Sequence, residues 1–581
     1  MALRESPFSN QFVAGLHSVA WWLIFPCFWF LDRLIAVCIS TTFEKRLRYE
    51  QECYLNPLRV FFGAILFLCL FLITAPIALL GFVLWVPLQA ARRPFSYHRQ
   101  RVTTREDQVD GDWALGRSGG SFGFVTANLC LLPDSLARFN NLSQTQVRSR
   151  LIGQLIIQGV TRPADLPSST TQENMHCLLT PTHPSYGATE SQPPSSPLNT
   201  EKQTAVRDTN VHTKDVIIDV REDTDPTSAD SLVMHEDSSQ SCPSGGRTSQ
   251  KSKGLDDIPW EVSALFPVNV DFVLLEEAFD RRAARRLKDI LSPFFGHVLY
   301  DVGLYGFQGC SSFKFFNSGI FFASRYPILE ASFHCFPNGR GEDSLASKGV
   351  LSVKVLVGQT QRLKNAVGFF NCTHLHAPED DGPIRYEQLD MLSKWISEFQ
   401  AQTKKEDEIV VFDVLCGDFN FDNCSPRALD SKLQGPGSGN PVDALEQKHS
   451  LFDSYKDPCR AGPGKEKPWV IGTLLEQPTL YDDAVSTPER MKMSVESEVV
   501  RKRFIAPPVA PKGCVLEYPE PGAPWVGRRI DYVLYREATV SRHLRTEVEK
   551  ITFVTQFAGL TDHIPVGMRL RVSVDTEEPD V

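Results

Sequence analysis

An acid and an amide stand two residues apart within Ile409–Cys424, which reads IVVFDVLCGDFNFDNC. Ile409–Cys416 is an apolar run with the length of a buried strand, and Gly417 allows a sharp turn after it. Because residues i and i+2 of an extended chain share a face, Asp418 and Asn420 are predicted to point into one pocket. Their oxygens are hard ligands that suit Mg²⁺, although an Asx-rich turn would use the same residues.

Polar side chains recur at the ends of other predicted strands. The full set is Asn128, Glu277, His376, Asp418, Asn420, Asp531, Asp562 and His563. Taken alone, each has an ordinary structural explanation, such as an ion pair between Asp531 and Arg529 on the surface. Strand-end residues of one sheet layer converge in space, so the set as a whole predicts one site.

Phosphodiester hydrolysis is the chemistry that needs these groups. A hard cation binds carboxylate and amide oxygens, such as those of Glu277 and Asn128, and keeps open positions for water and phosphate. The attacking water needs a base with a pKa near neutrality, which histidine has. That base needs an orienting acid, which Asp531 or Asp562 could supply. His376 could donate to the developing phosphorane oxygen.

The composition bounds the class of protein. The chain has 581 residues, enough for two or more domains, and its net charge of −10 indicates no general affinity for polyanions. Its 14 cysteines show no CxxC pair, so we expect a reducing compartment and no structural zinc. The predicted parts are a membrane-associated domain at 1–101, a linker at 102–120, a catalytic domain at 121–160 and 258–575, a disordered insert at 161–257 and a tail at 576–581.

Two apolar runs, Phe12–Leu31 and Phe61–Val86, lie near the N-terminus. The first lacks the pattern of a removable signal peptide, and the second is long enough to cross a bilayer. Basic clusters follow both runs, so two spanning helices would violate the positive-inside rule at one cluster. Since Pro26 and Pro76 could break the helices, two re-entrant hairpins are favoured over two spanning helices or a buried soluble pair.

The basic clusters could hold anionic lipid such as phosphatidylserine, at about 1 kcal/mol per residue, or could be ordinary flanking charge. Their members are Arg33, Lys45, Arg46, Arg48, Arg92 and Arg93. Cys53 lies beside the predicted membrane segments and is a candidate for palmitoylation.

Five motifs follow one another along the chain: L-E-E-A, T-H-L-H-A-P, G-D-F-N, R-R-I-D-Y and T-D-H-I-P-V. Their types and order resemble the motif set of the DNase I / exonuclease–endonuclease–phosphatase superfamily, over about Ser121–Val574 without the insert. The paired apolar runs and segments such as P-C-F-W-F-L-D-R-L, L-L-P-D-S-L-A-R and L-A-S-K-G narrow the resemblance to the membrane-anchored neutral sphingomyelinases.

This resemblance implies a four-layer α/β sandwich with two central sheets behind an N-terminal membrane anchor. It implies hydrolysis of sphingomyelin to ceramide and phosphocholine that depends on Mg²⁺, with Mn²⁺ as a substitute. Among the metal-side residues it makes Glu277 the principal ligand with help from Asn128, while Asp418 and Asn420 bind phosphate or position water. The family usually has Gln before the metal-binding Glu, whereas this chain has Glu276, so either acid could ligate; strand alternation favours Glu277.

On the acid–base side, the resemblance implies that Asp531 orients a catalytic histidine and that His376 stabilises the transition state. His563 with Asp562 is the general base. His374 lies two residues from His376 and is interpreted as structural.

A loop at 343–348 carries a separate hypothesis. In this resemblance it lies close to the site, and Asp343 and Lys348 could exchange partners and gate the site when anionic lipid binds the N-terminal part. The alternative is a surface loop with a local ion pair.

Three other functions compete with this interpretation. A DNA endonuclease would need a basic stripe for duplex phosphates, and none is legible, so no nucleic-acid partner is expected. An inositol-phosphate 5-phosphatase would call for a dense cationic cluster near the site. A catalytically inactive membrane scaffold would recruit partners through the insert. The expected location is a membrane with the catalytic domain in the cytosol, at the Golgi or plasma membrane or, alternatively, at a mitochondria-associated or endoplasmic reticulum membrane.

Overall fold

The computed structural model describes residues 3–50, 55–100, 120–163, 258–308, 312–359, 364–425, 446–509 and 524–574. Cys53 lies outside these ranges, as do nearly all of the predicted linker, insert and tail.

The described helices are α1 (Gln11–Cys38), α2 (Thr42–Glu50), α3 (Asn56–Leu88), α4 (Asp134–Ala137), α5 (Thr145–Thr161), α6 (Arg281–Phe295), α7 (Gly382–Thr403), α8 (Leu451–Ser454), α9 (Pro488–Glu496) and α10 (Glu498–Phe504). The described strands are β1 (Ser96–Arg99), β2 (Gly120–Asn128), β3 (Trp260–Ser263), β4 (Phe272–Glu276), β5 (His297–Tyr300), β6 (Gly306–Gln308), β7 (Ser312–Lys314), β8 (Phe321–Ser324), β9 (Ile328–Cys335), β10 (Gly349–Gln359), β11 (Asn365–His374), β12 (Ile409–Asp418), β13 (Arg460–Gly462), β14 (Lys465–Glu466), β15 (Asp531–Tyr535), β16 (Leu544–Val554) and β17 (Val566–Val574).

Two large sheets form the centre of the catalytic part. The eight-stranded sheet has the order β1-β5-β8-β4-β2-β17-β16-β3, and the five-stranded sheet has the order β15-β12-β11-β10-β9. Aromatic rings fill the space between them: Phe124 and Phe272 of one sheet contact Phe370 and Phe412 of the other, with centroids 5.1–5.8 Å apart. The inner faces of both sheets are therefore held together by apolar burial.

Helices cover the outer faces of both sheets. Residues of α5 and α6 share one buried apolar cluster with the outer face of the eight-stranded sheet, and residues of α7 do the same on the five-stranded sheet. Strand β4 shows why, because Phe272 and Leu274 face the other sheet while Val273 and Leu275 face the helices. A strand that is apolar on both faces must be covered on both. The predicted four-layer α/β sandwich is confirmed.

The two apolar runs form long continuous helices. α1 contains Pro26 and α3 contains Pro76, and neither helix is interrupted there. The predicted helix breaks, and with them the re-entrant hairpins, are wrong. By length and composition α1 and Asn56–Ala91 could each cross a membrane.

α1 packs against both α3 and the catalytic part. Gly63 of α3 faces Val37, and Gly81 faces Ala20, so α1 and α3 run antiparallel. The other side of α1 and its flanks contact the catalytic part from end to end. These contacts join Arg4 to Tyr97 of β1 (N···O 2.9 Å), Trp21 to Arg281 (5.1 Å, cation over ring), Asp32 to Ser135 (N···O 2.8 Å) and Ile39 to Arg138 (N···O 2.7 Å).

Candidate active site

Sheet register brings the predicted residues together. In the five-stranded sheet, His374 pairs with Asp418, and Asp418 pairs with Asp531 on the next strand. In the eight-stranded sheet, Asn128 pairs with Glu276. The two rows meet at one edge of the sandwich, because Nδ2 of Asn128 lies 2.9 Å from Oδ2 of Asp418. Both sheets therefore contribute to one cluster.

Glu277 directly follows β4 and has a left-handed backbone with φ of 57°. Left-handed conformation is rare outside glycine and often marks functional positions. Gly319 packs against it so closely that a Cβ would lie 2.9 Å from the Glu277 Cα. Asn128 donates hydrogen bonds to Glu277 Oε1 (3.0 Å) and Asp418 Oδ2 (2.9 Å), while its own Oδ1 accepts one from the Cys130 amide. Asn128 thus holds the two carboxylates together and turns its oxygen away from them.

The histidine beside these carboxylates is His374, not His376. Nε2 of His374 lies 3.7 Å from Asp418 and 4.0 Å from Glu277. His376 instead places its Nε2 2.8 Å from Asp381. Strand β11 ends at His374, so the alternation of faces stops there and His376 belongs to the following loop. The expectation that His376 joins the strand-end acids is wrong. Sequence reasoning missed His374, although it stands in the same T-H-L-H-A-P motif.

The cluster fits a hard divalent cation. Ligand atoms of Glu277, His374 and Asp418 lie within 4.8 Å of one another, as do those of Asp418, Asp531 and His563. Burial raises the pKa of Glu277 to about 7 and that of Asp418 to about 6, so both carboxylates are costly to ionise in this site without a cation. Among the described residues, Oε2 of Glu277 and both ring nitrogens of His374 have no hydrogen-bond partner. Buried polar atoms without a hydrogen-bond partner indicate that a ligand binds there.

Glu276 is a different kind of acid. Its side chain is fully buried, and Oε1 lies 2.5 Å from Oγ1 of Thr126. Burial raises the pKa of Glu276 well above its usual range and so favours the neutral form of the carboxyl group. Of the two acids, Glu277 is the one whose oxygen lies within 4.8 Å of the ligand atoms of His374 and Asp418.

His563 and Asp531 form a hydrogen-bonded pair. Nδ1 of His563 lies 2.9 Å from Oδ2 of Asp531. Burial lowers the pKa of His563, but the carboxylates of Asp531, Asp418 and Asp562 outweigh burial and raise it well above its usual range. Of the two candidate orienting acids, Asp531 is the one that bonds the ring.

Asn420 stands just beyond the end of β12. Its backbone is left-handed with φ of 55°, so the alternation that predicted a shared face with Asp418 does not extend to it. It remains attached to the cluster, because its amide N–H donates to Oδ1 of Asp418 at 2.9 Å. Its Nδ2 donates to the Leu375 carbonyl at 3.0 Å, which fixes the chain after His374.

Asp343 and Lys348 are paired with each other and largely buried. Nζ of Lys348 lies 3.0 Å from Oδ2 of Asp343 and 3.1 Å from the Leu375 carbonyl oxygen. Oδ2 of Asp343 also accepts from the Ala377 amide (2.6 Å) and lies 3.1 Å from Nδ1 of His376. Burial raises the pKa of Asp343, but Lys348 and these hydrogen bonds bring it well below its usual range. The pair therefore ties the loop at 343–348 to the chain that follows β11.

The predicted lipid-binding cations differ in their surroundings. Arg92 is buried 2.9 Å from Asp301 and donates to backbone carbonyls, so its assignment to lipid is wrong. Arg33 is 30% exposed and pairs with Asp32 at 2.7 Å. Lys45 is exposed. The others are Arg46, paired with Glu50 and Asp483; Arg48, 3.9 Å from Glu44; and Arg93, half-buried.

Comparisons with known proteins agree with the fold. Residues 12–91 match the family described as the neutral sphingomyelinase N-terminal transmembrane region, and residues 259–563 match the endonuclease/exonuclease/phosphatase family. The chain is 56% identical to sphingomyelin phosphodiesterase 5 of Danio rerio over 589 residues and 38% identical to sphingomyelin phosphodiesterase 3 of Rattus norvegicus over 672 residues, each alignment covering 100% of both chains. A crystal structure of sphingomyelinase C from Streptomyces griseocarneus is 17% identical, covers 52% of this chain and 86% of its own, and has a TM-score of 0.31.

Proposed function

The chain belongs to the membrane-anchored neutral sphingomyelinases of the endonuclease/exonuclease/phosphatase superfamily, and on this premise we propose that it hydrolyses sphingomyelin to ceramide and phosphocholine. The observation that carries the proposal is the meeting of Glu277, His374 and Asp418 with the hydrogen-bonded pair Asp531–His563 at one edge of the sandwich. These residues supply ligands for a cation, a general base and an acid that orients the base.

Glu277 and Asp418 would hold a Mg²⁺ ion, for which Mn²⁺ could substitute. When bound, the cation withdraws charge from the phosphate and favours attack at phosphorus. Asn128 fixes the spacing of the two carboxylates through its two hydrogen bonds. Asn420 in turn holds Asp418 through its amide N–H.

His563 takes the proton of the attacking water. Asp531 accepts a hydrogen bond from Nδ1–H of His563, which leaves Nε2 as the basic nitrogen. A new bond then forms from the water oxygen to phosphorus, and the bond from phosphorus to the ceramide oxygen breaks. The departing ceramide oxygen gains a proton from solvent, and His563 returns to solvent the proton that it took. Asp562 adds negative charge beside the ring and favours the imidazolium that results.

We assign the transition-state donor to His374 in place of His376. Burial and the ammonium group of Lys348 lower the pKa of His374 well below its usual range, so its ring is neutral and keeps one N–H. A neutral imidazole can donate that hydrogen to a phosphoryl oxygen as negative charge develops.

The anchor would keep the catalytic part on the cytosolic side. Both ends of α1 contact the catalytic part, through Arg4 with Tyr97 of β1 and through Ile39 with Arg138, which supports both ends lying on one side of the bilayer. α3 exposes apolar side chains such as Leu72 (60% exposed) to the lipid. Cys38, at the end of α1, would then be labelled by an impermeant thiol reagent only from the cytosolic side, in a variant that lacks other exposed cysteines. Labelling from the lumen would contradict this arrangement. The proposed membranes are the Golgi or plasma membrane, with the mitochondria-associated and endoplasmic reticulum membranes as alternatives.

Anionic phospholipid such as phosphatidylserine would stimulate the enzyme through the anchor's exposed cations, which include Lys45 and Arg46. The paired Asp343 and Lys348 would respond by exchanging partners and opening the site. Lys348→Ala should lose the stimulation by phosphatidylserine. Equal activity of Lys348→Ala and the wild type, with and without this lipid, would exclude the gate.

The direct test measures phosphocholine release from sphingomyelin in mixed micelles. The purified full chain is assayed with Mg²⁺, with EDTA, and as His563→Ala, beside parallel assays on an inositol phospholipid and on duplex DNA. Release that requires Mg²⁺ and His563 and is confined to sphingomyelin supports the proposal. Hydrolysis of the inositol lipid or DNA instead would favour a rival activity, and no hydrolysis by folded protein would favour a scaffold.

A further inference from the structure

The acid and the base of the site come from different sheets. Asp531 begins β15 in the five-stranded sheet, whereas His563 stands three residues before β17 of the eight-stranded sheet. An irregular segment, Gly472–Leu475, lies between the two stretches of the chain that carry Asp531 and His563, and it forms hydrogen bonds to both. It follows β14 and precedes α9 in the sequence, and it was not recognised among the candidate site residues.

Thr473 makes the contacts on the acid side. Its side chain is fully buried, and Oγ1 accepts hydrogen bonds from the amides of Ile530 (3.0 Å) and Asp531 (3.3 Å). Its own amide donates to the carbonyl of Arg528 at 2.8 Å. One hydroxyl oxygen therefore satisfies two buried amides at the point where the chain enters β15.

The same residue makes a contact on the base side. The carbonyl oxygen of Thr473 accepts from the amide of Ile564 at 2.8 Å, directly after His563. Leu474 forms an isolated bridge with His563, and the amide of Leu475 donates to the Asp562 carbonyl at 2.8 Å. Gly472–Leu475 is thus hydrogen-bonded on one side to the stretch that carries Asp531 and on the other to the stretch that carries His563.

Gly472 allows this close approach. A Cβ at this position would lie 3.0 Å from both the backbone nitrogen and the carbonyl oxygen of Arg528. The Gly472 amide donates to the Val526 carbonyl at 2.7 Å, which extends the contact with the chain before β15. A residue with a side chain would push the segment away from that chain.

We propose that Thr473 is a positioning residue that sets the contact between His563 and Asp531. The inference rests on the proposed function, because it assigns Thr473 to the proton-transfer step of that reaction. Loss of the hydroxyl would leave the amides of Ile530 and Asp531 buried without an acceptor, and the start of β15 would shift to find one. A misplacement of about 1 Å at a reacting group lowers turnover about 100-fold.

The test compares Thr473→Val, which keeps the shape and removes the acceptor, with Thr473→Ser, which keeps the acceptor. Thr479→Val is the matched control, because the hydroxyl of Thr479 bonds only the nearby Glu476 carbonyl at 2.8 Å. Each full-length protein is assayed for kcat and KM on sphingomyelin in mixed micelles with Mg²⁺. We expect kcat of Thr473→Val to fall about 10- to 100-fold with little change in KM. Thr473→Ser should restore most of kcat, and Thr479→Val should match the wild type.

A purely structural role predicts a different result, in which Thr473→Val lowers the thermal midpoint while its folded fraction keeps the wild-type kcat. That result would overturn the inference, as would equal losses in the Val and Ser variants. If Thr473→Val does not fold, amide hydrogen exchange on Thr473→Ser and the wild type decides. Ile530, Asp531 and Ile564 should be protected like core strands in both proteins, and rapid exchange at these amides would refute the positioning role. An inactive wild type would instead refute the proposed function.

Discussion

Nδ1 of His563 lies 2.9 Å from Oδ2 of Asp531, although the two residues belong to different sheets of the sandwich. The contact fixes which ring nitrogen carries the proton and therefore which one can act as a base. It also influences the pH above which the His563 ring is neutral, since the charge of Asp531 favours the imidazolium and raises the pKa of His563.

Replacement of this acid, Asp531→Asn, should lower kcat by about 10³- to 10⁴-fold, by analogy with the loss of the acid in a catalytic triad. The base acts when neutral, so activity rises with pH through the pKa of His563. Asp531 raises that pKa, and its removal lowers it, so the acid limb of the kcat profile should move to lower pH. The measurement is kcat against pH, with the exposed Asp453→Asn as control. An acid limb at an unchanged pH would contradict the assignment.

Substitutions of the two histidines of the T-H-L-H-A-P motif should differ clearly in their effect on kcat. His374→Ala should reduce kcat by about 10²- to 10³-fold, the usual cost of removing a transition-state donor. His376→Ala should reduce it less, because that ring contacts Asp343 and Asp381 and lies in the loop after β11. Steady-state assays of both variants under the same conditions check the order. A larger loss of kcat in His376→Ala than in His374→Ala would favour His376 as the transition-state donor.

Glu276→Gln should leave activity within about threefold of the wild type. Burial already favours the neutral form of this carboxyl group, and an amide has nearly the same shape and can still bond Thr126. Phosphocholine release and the thermal midpoint of the variant are compared with those of Glu277→Gln, which should be severely impaired. Equal impairment of the two variants would mean that Glu276 is charged in the working enzyme.

Asp301→Asn should loosen the junction between the anchor and the catalytic part. Asp301 lies 2.9 Å from Arg92, which follows α3, and 3.2 Å from Arg281 of α6. Loss of one partner from a buried ion-paired group costs about 3–5 kcal/mol of unfolding free energy. The measurement is the thermal midpoint of the full chain in detergent micelles at neutral pH.

The same variant has a defined pH dependence. Burial raises the pKa of Asp301, but the two arginines outweigh burial and hold it well below its usual range. A folded-state pKa below the unfolded value gives a stabilisation that is present above about pH 4 and is lost as pH falls through the folded pKa. The difference in thermal midpoint between the wild type and Asp301→Asn should therefore become smaller below about pH 4. A gap that stays constant with pH would contradict the ion-pair explanation.

The fold was predictable where periodicity and motif agreed. Ile409–Cys416 has the length and apolarity of a buried strand, and the structure places it in β12. The motif order indicated which strand ends meet, because parallel and antiparallel neighbours bring His374, Asp418 and Asp531 into one row.

Other features depend on contacts that local sequence does not encode. Pro26 looks like a helix breaker, but α3 and the catalytic part pack along α1 and support a continuous helix. His376 keeps the spacing of a shared face with His374, yet the strand ends between them. Thr473 carries no motif at all, and its importance emerges only when segments about 60 and 90 residues further along the chain pack against it.

The central claim is that Glu277 holds the cation on which hydrolysis depends. The most direct measurement is a calorimetric titration of the full chain with Mg²⁺, made in parallel with the Mg²⁺ dependence of phosphocholine release, for the wild type, Glu276→Gln and Glu277→Gln. We expect Glu277→Gln to weaken Mg²⁺ binding about tenfold or more and to need correspondingly more Mg²⁺ for turnover, while Glu276→Gln matches the wild type. Unchanged Mg²⁺ affinity in Glu277→Gln would contradict the account.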